Sequence, residues 1–156
     1  MSAPYRRSLE SRVEAAFAAV LKTHEALAPL DFRQHDDTEP NREDCVITAA
    51  ILEELVPPSG VYRLEVRITA RVRVRRRQDT AGRLDMIAGS IAETINAPNL
   101  ETKLNAAAPD PLHVYHVSVL DSEREAADNT LARTLTVEAE AMPCAFAEAA
   151  AAFRNQ

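Results

Sequence analysis

Seven arginines and one glutamate fall between residues 61 and 77 of this 156-residue chain, and most occupy every second position. Successive side chains of an extended segment point to opposite faces, so Arg63, Arg67, Arg71, Arg73 and Arg75 share one side. A guanidinium is a planar fork of N–H donors that matches carboxylate or phosphate, so the chemistry on offer is charge pairing. The segment carries +6 and leaves −12 on the rest of a chain whose total is −6. Three destinations are open to such a face. It can be solvated, which also discourages edge-to-edge aggregation. It can meet acids on an adjacent identical subunit, because opposed charges on one chain suit head-to-tail contacts. It can also touch DNA phosphates, which arginines position against without reading a base.

Other chemistry is sparse. His35, Asp36, Asp37 and Glu39 mix imidazole and carboxylate, the ligand types of a divalent ion, but they are near-consecutive residues of a polar stretch with no fixed geometry, and no metal site is assigned. His113 and His116 are three apart, which on a strand places them on opposite faces. Cys45 and Cys144 stand 99 residues apart in no ligand spacing and read as thiols. With only Gly60, Gly82 and Gly89 available, the common phosphate-binding loops cannot be built, and no zinc-protease motif or nucleophile elbow is present. No catalytic residue and no cofactor are assigned, and the chain reads as a non-enzyme.

The elements that must position the arginines follow from periodicity. In residues 8–29, Leu9, Val13, Ala16, Phe17, Val20, Leu21, His24 and Leu27 form one helical stripe, capped by Ser8 or Ser11 and closed by Pro29. His24 beside this stripe reads as structural. The stretch DFRQHDDTEPNREDC reads as a long loop able to order against a partner. The run CVITAAIL is a strand buried on both faces or packed at an interface, and VPPSG is a turn. From Tyr62 to Val74 apolar and charged residues alternate over thirteen positions, roughly 43 Å of strand, so its end is expected to bend, bulge or project. Leu84, Ile87, Ala88, Ile91 and Ile95 mark a second helix capped by Asp79 or Thr80, with a short helical turn through Leu100 and Leu104 after it. LHVYHVSVL and TLARTLTVEAEA are antiparallel strands joined by a hydrophilic loop, DSEREAADN. Arg133 interrupts the apolar face of the second and implies a strand end or a partner carboxylate. Pro143 opens a helical extension with Phe146, Ala149, Ala150 and Phe153 on one narrow face, which can dock on its own subunit or a neighbour.

Together these predict one α+β domain over residues 1–142 and a C-terminal helical extension over 143–156. The domain has a mixed or antiparallel sheet of about four strands, with helices packed mainly on one face. A hydrophobic content of 46% supports one ordinary core without disulfide or metal, with Ala, Val, Leu and Ile filling it, since aromatics are 4%. Residues 1–12 are not a secretory leader, and no run of about 20 apolar residues can cross a bilayer, so the chain is expected to be soluble and to meet no membrane. An acidic total disfavours generic nucleic-acid binding.

The order of elements resembles that of the phage tail terminator and tail-completion proteins, also called minor tail proteins. The resemblance spans roughly residues 9–140. It runs through LESRVEAAFAAVL, CVITAAI, the alternating GVYRLEVRITARVRV, the helix GRLDMIAGSIAETI, the leucine-spaced NLETKLNAA, and the pair LHVYHVSVLD and NTLARTLTVEAEA. It is a pattern of elements and transfers no invariant residue. It implies a structural subunit of a ring, six-membered in proteins of this kind, at the head-proximal end of a virion tail. Such a ring terminates the tube and joins it to the neck after assembly in the host cytoplasm. The implied partners are identical subunits, the tail tube protein and a neck or connector protein, with non-specific proximity to DNA. A neck or head-completion subunit would show the same composition, and a nucleic-acid accessory protein would use the arginine face directly. Under the ring reading, the arginines make charged subunit or tube contacts, Asp36, Asp37 and Glu39 supply an acidic complement, and Phe146 and Phe153 belong to a docking helix.

Overall fold

The computed structural model describes residues 8–34, 43–127 and 129–143. The acids Asp36, Asp37 and Glu39, with His35, lie outside the described residues, as do Cys144 and the helical extension with Phe146 and Phe153. The chain is α+β: α1 (Leu9–Leu21), β1 (Asp31–Arg33), β2 (Glu43–Leu55), β3 (Val61–Arg73), α2 (Thr80–Ile95), α3 (Leu100–Ala107), β4 (His113–Ala127) and β5 (Thr130–Met142). The five strands make one sheet in the order β1-β2-β3-β5-β4, antiparallel except for the β1–β2 pair.

One face of the sheet is apolar because β3 and β5 alternate. Leu64, Val66, Ile68, Ala70 and Val72 of β3, with Leu135, Val137, Ala139 and Ala141 of β5, are buried under the helices. Helix α1 lies over β2, α2 over β3 and β5, and α3 against β4 and α1. Phe17 and Leu21 of α1 and Leu84 and Ile87 of α2 close this layer, each worth about 1.5–3 kcal/mol for full burial. Ser8 accepts from the N–H of Ser11, and Asp79 accepts from that of Gly82, so both long helices begin on side-chain caps.

Several expectations need correction. The polar stretch after Pro29 is not all loop: Asp31–Arg33 pairs in parallel with Asp44–Val46 and adds a fifth strand. The helix α1 stops at Leu21, where Thr23 turns its hydroxyl and N–H back onto the Val20 carbonyl, well before Pro29. The hydrophilic DSEREAADN is also not a loop, because Asp121–Ala127 continues β4 and pairs along β5 to Thr130. The long strand β3 keeps an unbroken register with β5; the irregularities fall on its neighbours. In β2 the register passes from Ile51 to Glu53, and in β4 from Val119 to Asp121, so Leu52 and Leu120 are bulge residues. Both face solvent, 47% and 55% exposed. The strand β2 is buried on both faces only from Asp44 to Ile47; Ala50 to Glu53 are exposed.

The two sheet edges differ. The β2 edge is closed first by β1 and then by Glu14, whose carboxylate accepts from the Ala49 N–H at 2.8 Å. At the β4 edge, Asn105 of α3 accepts from the Val114 N–H at 2.7 Å and donates to its carbonyl at 3.3 Å, standing in for a neighbouring strand. Beyond Val117 nothing among the described residues covers β4, and its side chains from Ser118 to Ala127 are exposed.

Candidate functional site

The face of the sheet turned away from the helices carries the arginines, as the alternation requires, and there most of them have acids within their own chain. Arg71 makes a two-pronged contact with Asp44, its Nε donating at 2.7 Å, and the register places these residues directly opposite. Asp44 is only 1% exposed and also draws Arg33, whose Nε is 3.8 Å away and 2.8 Å from Asp31. Arg63 reaches Glu53 at 3.0 Å and Glu138 at 3.9 Å, and Arg67 donates to Glu65 at 2.9 Å. The partners Asp44, Glu53 and Glu138 are not legible in the sequence, because their pairing depends on register across strands, with Arg63 and Glu138 75 residues apart.

Arg73 and Arg75 behave differently. They belong to an exposed basic segment completed by Arg76 and Arg77: Arg73 is the last residue of β3, opposite Thr130, and Arg75 to Arg77 follow the bond from the Val74 N–H to the Asn129 carbonyl at 2.8 Å. Among the described residues Arg73, Arg76 and Arg77 make no ion pair, and Arg75 acts only through its field on Glu43. The carboxyl of Glu43 is held below its ordinary range chiefly by hydrogen bonds from Arg83 at 2.7 and 2.8 Å. The same contact raises the pKa of Arg83. A cleft of about 480 Å³ between this turn and β1 is lined by Arg33, Arg73, Arg75 and Arg83 but also by Asp31, Glu43, Asp44 and Asp79, so its charges largely cancel.

The open face is a trough of about 490 Å³ running across four strands. Thr48, Thr69, Thr134 and Thr136 form its floor, and Thr69 and Thr134 share a hydrogen bond at 2.9 Å between β3 and β5. Its β4 side is acidic: Asp121, Glu123 and Glu125 project onto the same face, and Leu120 adds an apolar rim. No cation pairs with these three acids among the described residues. The hydrophilic composition of this run, which predicts a loop, conceals them. The signal was there, since acids at 121, 123 and 125 with no Gly or Pro between them follow the two-residue period of a strand.

The remaining candidates resolve into structure. Arg133 is half-buried and donates to the Ser122 hydroxyl at 3.0 Å, a hydroxyl where a carboxylate was one expectation. The His24 ring, three residues past the end of α1, accepts from the Ala26 N–H at 3.1 Å and lies 3.5 Å from Glu93. A second β4 irregularity between Tyr115 and Ser118 gives His116 a φ of 52° and brings it against Tyr115, with ring centroids 5.0 Å apart and Glu140 at 2.9 Å. His113 packs on the same tyrosine at 5.4 Å, so the bulge gathers both histidines around one ring. The Tyr115 hydroxyl is raised in pKa by burial and by the charge of Glu140. Burial pushes the Cys45 thiol up to about 12, far from a reactive thiolate. Among the described residues no three His, Cys, Asp or Glu side chains gather to hold an ion, and no helix is long and apolar enough to cross a membrane.

Buried Arg12 was also missed. It occupies the apolar stripe of α1 and donates at 2.9 Å to the carbonyls of Pro111 and Pro143, tying the start of β4 to the end of β5. Comparison with models of protein families and with curated proteins returns no match.

Proposed function

We propose that this chain is a structural subunit that associates with identical copies to form a ring, of the kind that closes a phage tail tube at its head-proximal end and meets the neck. The observation that carries the reading is unpaired charge of both signs on one chain. Most arginines of the sheet face are neutralised within the chain, while the turn at Arg73–Arg77 and the acids Asp121, Glu123 and Glu125 have no ion-pair partners among the described residues. Patches of opposite charge on one subunit support heterologous contacts, which close into rings when the rotation permits. The long bare edge of β4 with its bulged leucine offers adjoining contact surface. Order of elements and acidic total fit the same reading, in which turnover has no part.

The test is native mass spectrometry and negative-stain microscopy of the purified protein, alone and with tail tubes from the same particle. Rings in solution, or rings that form only on tube ends, are the expected result. A monomer that ignores the tubes would overturn the reading, and binding to connector rings in place of tube ends would move the subunit to the neck. The exposed basic turn favours one second reading, contact with DNA phosphates. It predicts measurable DNA binding at low salt that falls steeply as salt rises.

A further inference from the structure

Resting on the self-assembly reading, we infer that the basic turn of one subunit seats in the acid-rimmed trough of the next. The turn presents four exposed guanidinium groups, Arg73 at the end of β3 and Arg75, Arg76 and Arg77 just past it. The trough presents Glu65, Asp121, Glu123 and Glu125 against a single cation, Arg67, which is already engaged by Glu65. The two surfaces are therefore opposite in sign, comparable in charge and unsatisfied within the chain among the described residues. An arginine laid into the trough gains more than Coulomb attraction. Its aliphatic stem can lie along Leu120, and its fork can address carboxylates that alternate along one strand and share one face. A second copy is the occupant because the same sequence supplies both halves, and because β-bulges with exposed acids disfavour plain strand addition at this edge. DNA is the wrong sign for the trough, and an acidic protein would engage the turn alone.

The experiment is a charge exchange. One variant carries Asp121→Lys, Glu123→Lys and Glu125→Lys; the other carries Arg75→Glu, Arg76→Glu and Arg77→Glu. All six side chains are exposed, so the folds are expected to persist, to be checked by circular dichroism and thermal melting. Sedimentation velocity at low salt, with tube ends added if the wild type assembles only there, reads association. Each variant alone is expected to lose at least tenfold in association, since its turn and trough now carry like charges. An equimolar mixture is expected to recover assembly, because each variant offers the complement of the other. Should a lysine variant fail to fold, Glu123→Gln with Glu125→Gln replaces it and is expected to weaken association in the same direction. Wild-type assembly in both single variants, or no recovery in the mixture, overturns the turn-in-trough contact while leaving ring formation standing. A wild-type protein that stays monomeric with and without tubes overturns both. Loss of DNA binding by the turn variant with assembly unchanged assigns the turn to phosphates and rejects the contact.

Discussion

Asp44 sits under two guanidinium groups with almost no exposed surface, while Arg71, which pairs with it, is 11% exposed. Removing one member of such a pair strands the other charge, at a cost of about 3–5 kcal/mol. Asp44→Asn and Arg71→Ala are each expected to lower the urea midpoint accordingly, whereas Asp44→Leu with Arg71→Met recovers most of the loss. Arg67→Ala, on an exposed pair, is expected to stay within about 0.5 kcal/mol of wild type. The Glu43–Arg83 contact predicts a pH dependence. Because the folded carboxyl binds its proton less readily than the unfolded one, its contribution is complete above the ordinary value of 4.5 and is lost as pH falls through the lowered folded value. Arg83→Gln is expected to destabilise at neutral pH, with the gap to wild type closing in acid, as followed by denaturant titration at several pH values. The arginines were legible as a stripe from spacing alone. Which of them are spent inside the chain was not, because Asp44 and Glu138 reach them only through strand register.

At the level of the elements, the edge devices make sharp claims. Asn105→Leu removes both side-chain hydrogen bonds to Val114 and exposes a buried strand backbone, which is expected to cost about 1–3 kcal/mol. Hydrogen exchange at Val114 should rise before exchange in β3. Two glycines in α2 respond oppositely. A methyl at Gly89 meets nothing within 4 Å, so Gly89→Ala is expected to stabilise by about 0.5–1 kcal/mol in thermal melts. A methyl at Gly82 would collide with the Asp79 carboxylate that caps the helix, so Gly82→Ala is expected to forfeit part or all of that gain. Element type was readable wherever the apolar period was strong, as in β3 and α2. It failed at β1, whose three residues carry no period, and in distal β4, where charge hid a strand pattern. Arg12 eluded periodicity because its place on the α1 stripe is justified by two distant carbonyls.

For the whole molecule, the proposed contact between basic turn and acidic trough would make association a matter of screened charge. Self-association is expected to weaken as salt rises from 50 to 500 mM, because the Debye length shrinks toward a few ångströms. Sedimentation across that range would check it, and association that strengthens with salt would point instead to Leu52, Leu120 and their apolar surroundings. The strand order carries a different consequence, for the order in which a ribosome delivers the chain. The β2–β3 hairpin and α2 emerge long before β5, yet β5 is the neighbour that covers β3 along twelve residue pairs from Tyr62 to Arg73. Until the last hairpin arrives, Leu64, Val66 and Ile68 stand beside an open strand edge in the middle of the future sheet. A nascent chain stalled before Thr130 is thus a template for sticking to its siblings, and fragments ending near Pro111 should partition into the insoluble fraction. On the proposed self-assembly, a polypeptide that joins its copies beside β4 would, during synthesis, have to be kept from joining them at β3.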